Sequence, residues 1–78
     1  MKLKVFTQTN CRYCPQVINY LKDKGVEFEK INLTINPEEN KYNLMSTPAI
    51  VLLDENDDVI VTYAGTNLNE IDVIISQL

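Results

Sequence analysis

The first third of the chain shows two apolar periodicities in succession. Leu3 and Val5 alternate with lysines within residues 2–7, which predicts a short β-strand with one well-buried face. Pro15 and Gly25 suit the first turn and the C-terminal cap of a helix. Between them, apolar residues recur at the spacing of one helical stripe: Cys14, Val17, Ile18 and Leu21. The pattern therefore predicts a strand followed by an amphipathic helix that begins close to Cys14.

The middle of the chain is less regular. Residues 26–33 are apolar enough to predict a second strand, although the phase of the alternation changes within it. Asn36 followed by Pro37 is typical of a helix start, with Asn as the cap and Pro at the first helical position. The short helix must end before Thr47, because Pro48 disfavours helical backbone at the preceding residue. We expect that helix to carry Tyr42, Leu44 and Met45.

The last third predicts a hairpin and a final helix. Residues 49–53 are uninterruptedly apolar, which indicates a strand covered on both faces. The polar turn 54–58 joins it to a β-branched strand at 59–64. Asn67 and Glu70 resemble a capping box. The apolar stripe of the helix that follows consists of Ile71, Ile74, Ile75 and Leu78.

The predicted order of elements is β-α-β-α-β-β-α. The first β-α-β crossover should be right-handed with parallel strands, and the later hairpin adds an antiparallel pair. A strand covered on both faces needs a layer on each side of the sheet. We therefore predict an α/β fold with a four-stranded mixed sheet flanked by three helices, as a single domain over residues 1–78.

Composition and charge exclude several classes of function. The chain has 78 residues, and its longest apolar run, residues 49–53, is far shorter than the ~20 residues of a membrane-spanning helix. Seven basic against eleven acidic residues give a net charge of −4, which argues against nucleic acid or an anionic membrane as a partner. The N-terminal residues show no apolar stretch of the secretory type, so we expect a cytoplasmic location. We also expect a monomer.

The two cysteines are the main candidates for chemistry. Cys11 and Cys14 are too close in sequence for a disulfide between them to stabilise the fold much. In a reducing cytoplasm, such a pair indicates redox or metal chemistry. Unpaired amides at a helix N-terminus and the charge of Arg12 favour a thiolate, which should lower the pKa of Cys11 and make it the nucleophile. Cys14, on the apolar stripe, is expected to be buried and to resolve the mixed disulfide.

Two other functions remain open for the cysteine pair. A structural zinc site needs four Cys or His ligands and an iron–sulfur cluster usually needs four cysteines, whereas this chain has two cysteines and no histidine. A metal-binding or iron–sulfur-binding module would therefore have to bridge two chains. A redox-inert scaffold is the third possibility, against which the two intact cysteines argue.

Thr47-Pro48 is a second candidate feature. An X-Pro bond can be cis at small cost, and a proline that opens a buried strand is unusual. The alternative is a simple helix stop, which is the commoner use of proline. Together with the cysteine pair, we favour a functional role.

These features give the whole chain a resemblance to the thioredoxin/glutaredoxin superfamily: the Cys11-Arg12-Tyr13-Cys14 motif at a helix start, Thr47-Pro48 before a strand, and Gly65 after the hairpin. The resemblance implies the thioredoxin fold and an enzyme that reduces disulfides of proteins or small thiols, with no bound cofactor. It also implies electron donation to cytosolic enzymes, of which ribonucleotide reductase is a common client. Tyr13 is similar to the aromatic residue of glutaredoxin motifs, whereas residues 42–50 look more like thioredoxins and small archaeal redoxins.

The resemblance also assigns roles to residues. It implies that Cys11 and Cys14 form the redox disulfide, that Pro48 is cis beside Cys11, and that the Thr47 backbone pairs with a bound partner's chain. The substrate-binding residues that it implies are Gln8, Arg12, Tyr13, Thr47, Pro48, Gly65 and Thr66.

The chain departs from both branches of the superfamily. Gln8 stands where many glutaredoxins have a lysine that aids glutathione binding, and Gly65-Thr66 replaces their Gly-Gly pair. Val5 stands where thioredoxins have a buried aspartate, and Arg12 replaces the usual Pro or Gly. These residues therefore leave open whether the external reductant is glutathione or a thioredoxin-type reductase.

Overall fold

The computed structural model describes residues 1–78 and contains four strands, two α-helices and one 3₁₀ turn. In chain order these are β1 (Lys2–Thr7), α1 (Cys14–Asp23), β2 (Glu29–Asn32), the 3₁₀ turn (Pro37–Glu39), β3 (Ala49–Leu53), β4 (Val59–Ala64) and α2 (Leu68–Ile75). The predicted bounds of β1, β3 and β4 are confirmed. Strand β2 is shorter than predicted, because only four residues of the segment 26–33 pair with a neighbouring strand.

The strands form one mixed sheet in the order β2-β1-β3-β4. Strand β1 pairs in parallel with β2 and antiparallel with β3, and β3 pairs antiparallel with β4. The predicted four-stranded mixed sheet is therefore confirmed.

The sheet has a buried cluster on each face. Both α-helices contribute to a nine-residue cluster, which includes Val17, Leu21 and Ile71 of the helices together with Val5 and Ile50 of the sheet. The opposite face carries a six-residue cluster built around Phe6, Ala49, Val51 and Leu53. All five residues of β3 are buried, so the predicted cover on both sides of this strand is confirmed.

The prediction of three α-helices is wrong, because the segment after Pro37 forms only one 3₁₀ turn. The side chain of Asn36 makes no capping hydrogen bond. The side chain of Asn40 instead makes two hydrogen bonds of 2.9 Å, to the backbone N–H and C=O of Leu44. Asn43 has a φ of 57°, which a right-handed helix does not allow. Side chains that bond locally to the backbone in this way compete with helix formation.

The loop nevertheless covers part of the sheet face that we expected the helix to cover. Tyr42 and Leu44 pack against the six-residue cluster, and the Tyr42 ring meets Phe6 edge-on at a centroid distance of 5.6 Å. Met45, in contrast, is 95% exposed and covers nothing. One face of the sheet is thus covered by helices and the other by an irregular loop.

The ends of the two helices are capped by single residues. Gly25, with a φ of 70°, follows the end of α1, and its N–H donates to the Lys22 carbonyl at 3.0 Å, as expected of a C-terminal glycine cap. At the start of α2, the Asn67 side chain accepts a hydrogen bond from the N–H of Asn69 at 3.0 Å. The cap is therefore formed by Asn67, and Glu70 makes no side-chain hydrogen bond in return.

Candidate active site

The register of the sheet brings distant parts of the chain to one edge. Phe6 lies opposite Ala49, so the segment that leaves β1 lies beside the segment that enters β3. Ala49 in turn lies opposite Ala64, which places the end of β4 at the same edge. The N–H of Gly65 donates a hydrogen bond of 3.0 Å to the Pro48 carbonyl across this gap. The order and register of the strands therefore bring most of the predicted site residues to this edge of the sheet.

The two cysteines lie at the turn between β1 and α1. Their sulfur atoms are bonded at 2.05 Å. The Cys11 N–H donates to the Gln8 carbonyl at 3.2 Å, and Asn10 takes a φ of 64°, which closes a tight turn before the helix. Cys14 is the first residue of α1 and is only 4% exposed, whereas Cys11 is half-buried. The accessible sulfur is therefore that of Cys11.

Thr47 lies against the accessible sulfur and is followed by Pro48. The Thr47-Pro48 peptide bond is cis, and Pro48 is buried. The Thr47 Oγ1 atom lies 3.5 Å from Cys11 Sγ and 3.0 Å from Gln8 Oε1. The structure thus brings Gln8, Cys11 and Thr47 into one small cluster.

The other predicted substrate-binding residues are less closely gathered. The guanidinium carbon of Arg12 lies 5.6 Å from the centroid of the Tyr13 ring, and Tyr13 is 50% exposed. Neither residue makes a side-chain hydrogen bond to the Thr47 cluster. Thr66 is exposed at the same edge as Gly65 and likewise makes no side-chain hydrogen bond. The binding roles of all these residues stay predictions.

A close contact with Tyr63 requires glycine at position 65. Its φ is 153°, and a Cβ atom built on it would lie 2.7 Å from the hydroxyl oxygen of Tyr63. That hydroxyl oxygen accepts a hydrogen bond of 3.2 Å from the N–H of Asn67, at the start of α2. A larger residue would therefore push Tyr63 away from the helix start.

The charges around the site are unlike those of the molecule as a whole. The first acidic residue in the sequence is Asp23, so the strand, turn and helix that carry the cysteines contain no carboxylate before it. The one ion pair, Lys2 with Asp57 at 2.9 Å, lies at the opposite edge of the sheet. There, the hydrogen bond and charge of Lys2 lower the pKa of Asp57, and those of Asp57 raise the pKa of Lys2.

A cleft of about 340 Å³ lies beside the disulfide and was not predicted from the sequence. Its wall includes both cysteines, Asn19 of α1, and Lys30 and Asn32 of β2. The signal for it lies in the parallel pairing of β1 with β2, which sets Thr7 opposite Asn32. The sequence predicts that pairing. It does not predict which residues of β2 face the helix, because the alternation of apolar and polar residues changes phase near Lys30.

Two further structural findings bear on the alternatives. No group of three or more His, Cys, Asp or Glu residues is placed to hold a metal ion. No helix has both the length and the apolar character required to span a membrane.

Comparison with known proteins shows similarity to glutaredoxin and to a thioredoxin-like protein. Residues 3–55 match the family model for glutaredoxin. The SPbeta prophage-derived thioredoxin-like protein YosR of Bacillus subtilis is 30% identical over 100% of this chain and 99% of its own length.

Solved structures share the fold. Thioredoxin 1 of Thermosipho africanus superposes with a TM-score of 0.74 at 22% identity, covering 99% of this chain and 92% of the other. The NrdH-redoxin of Escherichia coli gives a TM-score of 0.76 at 19% identity, covering 95% of each chain. These likenesses establish the thioredoxin fold that the sequence predicted.

Proposed function

This chain belongs to the glutaredoxin family, and from that premise we propose that it is an oxidoreductase that reduces disulfides by dithiol exchange through Cys11 and Cys14. The observation that carries the proposal is the placement of the cysteine pair. One sulfur is accessible beside Thr47, and the other is buried at the start of α1. This asymmetry suits a reaction in which one thiol attacks and the other resolves.

The first step is attack on the substrate disulfide. In the reduced protein, the Cys11 thiolate forms a bond to one sulfur of the substrate, and the substrate S–S bond breaks. The other substrate sulfur leaves as a thiolate and takes up a proton. The product is a mixed disulfide between Cys11 and half of the substrate.

The second step releases the rest of the substrate. The Cys14 thiol gives up its proton, and its sulfur attacks Cys11 Sγ, which forms the Cys11–Cys14 bond and breaks the mixed disulfide. The second half of the substrate leaves as a thiolate and is protonated. In total, two electrons and two protons pass from the protein dithiol to the substrate, and an external reductant must return them.

Three features favour the thiolate of Cys11 in the first step. The first-turn amides of α1 lack intrahelical partners, and the helix dipole favours negative charge near them. Arg12 adds a positive charge next in sequence. The Thr47 hydroxyl, 3.5 Å from Cys11 Sγ, can donate a hydrogen bond to a thiolate, and such charge-assisted bonds are stronger than neutral ones.

The same edge of the sheet is where we propose that the substrate docks. The Thr47 backbone would pair with an extended segment of a protein substrate, and Tyr13, with half of its surface exposed, would contact the partner. Gly65 and Thr66 would border this surface on the side of β4.

We further propose a thioredoxin-type reductase, rather than glutathione, as the external reductant. Gln8 carries no charge, so it cannot form the ion pair with a glutathione carboxylate that a lysine at this position would form. The Escherichia coli neighbour is described as a glutaredoxin-like protein with a thioredoxin-like activity profile. Recovery of free thiols from the oxidised protein should be faster with NADPH and such a reductase than with glutathione. Faster recovery with glutathione would refute the choice.

Serine variants of the two cysteines test the dithiol mechanism, and each is the control for the other. We expect Cys11→Ser to abolish reduction of hydroxyethyl disulfide and of insulin, because no accessible nucleophile remains. Cys14→Ser should still react once and then accumulate a mixed disulfide, which mass spectrometry of the intact protein would detect. Dithiol activity retained in Cys11→Ser would overturn the mechanism. A cytosolic client such as ribonucleotide reductase can then be tested directly with the reduced protein.

A further inference from the structure

The cleft beside the disulfide opens between the first turns of α1 and the edge strand β2. Its volume of about 340 Å³ is at the small end of the usual range for ligand pockets, which suits a group the size of an amino acid. Both cysteines belong to its wall. A small disulfide that reacts at Cys11 can therefore place one of its substituents in the cleft.

The cleft has one charged group and it is a cation. Lys30 is the only charged residue in the wall, and it forms no ion pair, because the one salt bridge of the structure joins Lys2 to Asp57. The carboxylate next to it in sequence, Glu29, belongs to the opposite face of β2, since neighbouring residues of a strand alternate between faces. A negative group in the cleft would thus meet an unneutralised ammonium.

Amide side chains supply further donors. Asn10 and Asn19 lie in the wall, and their side chains make no hydrogen bond within the protein. Gln8 accepts from Thr47 through Oε1, which leaves its Nε2 atom free to donate. Asn32 has a different role, because its Oδ1 atom accepts from the N–H groups of Thr34 at 2.9 Å and Ile35 at 3.3 Å, and so fixes the wall.

We propose that this cleft is a subsite for the carboxylate of a small-molecule disulfide. Lys30 would pair with the carboxylate, Asn19 would donate a hydrogen bond to it, and the disulfide would lie at Cys11. The preferred small substrates would then be disulfides of thiol carboxylic acids. The subsite lies on the β2 side of the cysteines, away from the Thr47, Pro48 and Gly65 edge. This inference rests on the proposed oxidoreductase function.

The test compares three small disulfides in a single turnover of the fully reduced protein at low ionic strength. Dithiodipropionate is a dianion, hydroxyethyl disulfide is neutral, and cystamine is a dication. Each rate constant is divided by the rate constant for the same disulfide with free dithiothreitol, which removes differences in intrinsic reactivity. We expect the normalised rates of the wild-type protein to fall in the order dianion, neutral, dication.

Two variants connect this preference to the cleft. Lys30→Gln should lower the ratio of the dianion rate to the neutral rate about three- to fivefold, the effect expected of an exposed charge pair. Asn19→Ala should lower the same ratio about twofold without any change of charge. Lys22→Gln is the matched control, because Lys22 is an exposed lysine in the last turn of α1, away from the cysteines, and should leave the ratio unchanged.

The outcomes separate this inference from the proposed function. If the wild-type protein reduces none of the three disulfides, the oxidoreductase proposal itself fails. If it reduces hydroxyethyl disulfide but shows no preference for the dianion, only the subsite is refuted. An equal loss for dianion and neutral disulfide in Lys30→Gln would also refute it, since Lys30 would then act on the thiols and not on the substrate charge.

Discussion

At the scale of single residues, the site depends on contacts between side chains that are distant in sequence. Thr47 lies 36 positions from Cys11 and 39 from Gln8, yet its hydroxyl oxygen contacts both side chains. A hydroxyl has one hydrogen, so it can donate to only one of these acceptors at a time. In the reduced protein, the negative sulfur should attract that hydrogen more strongly than the neutral Gln8 amide does.

Removal of the Thr47 hydroxyl should therefore make Cys11 less reactive. Thr47→Val keeps the branched shape but cannot donate, so the thiolate loses one hydrogen bond. We expect alkylation of reduced Cys11 by iodoacetamide at neutral pH to slow about three- to tenfold, in line with the strength of hydrogen bonds to charged groups.

A second threonine provides the control for this measurement. Thr62 is exposed on β4, and Thr62→Val should leave the alkylation rate of Cys11 unchanged. Equal rates in the wild-type protein and Thr47→Val would show that the hydroxyl does not stabilise the thiolate.

At the scale of elements, a polar contact joins the two α-helices. The hydroxyl of Tyr20 in α1 donates a hydrogen bond to the Asp72 carboxylate in α2, and both side chains are half-buried. Lys24 adds a cation above the Tyr20 ring, 5.4 Å from its centroid. This contact lies beside the nine-residue cluster, against which Tyr20 also packs.

The contact predicts a pH dependence of stability. The hydrogen bond to Asp72 raises the pKa of Tyr20, and burial and the negative charge of Asp72 act in the same direction. The folded state thus favours the protonated phenol. Its stabilising contribution is complete below the unfolded pKa of about 10 and is lost as the pH rises through the raised pKa of the folded state.

Urea unfolding of the wild-type protein and Tyr20→Phe from neutral pH to above pH ~10 tests this expectation. The variant should be less stable at neutral pH, and the difference should shrink as Tyr20 ionises. Tyr13→Phe is the control, since Tyr13 is exposed and bonded to no carboxylate. A difference that stays constant over the whole range would contradict the assigned role of the hydrogen bond.

Comparison of the predicted elements with the observed ones shows which features the sequence could predict. Strand β1 and helix α1 follow from their apolar periodicity, because each has one buried face that the pattern records. Strand β3 follows from its uninterrupted apolar run, because it is buried on both faces. The segment after Pro37 does not form the helix that its sequence predicts, because the side chain of Asn40 makes hydrogen bonds to the backbone of Leu44 in place of helical ones. The cysteine pair is visible in the sequence, whereas the cleft at Lys30 depends on strand register and on the exposed edge of β2.

At the scale of the whole molecule, β3 connects the two buried clusters. Ile50 and Leu52 of this strand belong to the nine-residue cluster, and Val51 and Leu53 belong to the six-residue cluster. A loss of packing on either side therefore weakens the same central strand. That residues 1–78 fold as a single domain stays a prediction.

A matched pair of substitutions tests whether the two clusters unfold together. Ile50→Val and Ile31→Val each remove one methylene, from the nine-residue and the six-residue cluster respectively, and should each lower the free energy of unfolding by about 0.5–1.5 kcal/mol. Ile60→Val, on the exposed side of β4, should change it by less than about 0.5 kcal/mol. If the chain is one cooperative unit, circular dichroism and tyrosine fluorescence will report the same transition in every variant. Separate transitions in Ile31→Val would instead show that the loop-covered face unfolds on its own, and that the helices alone hold β3 in place.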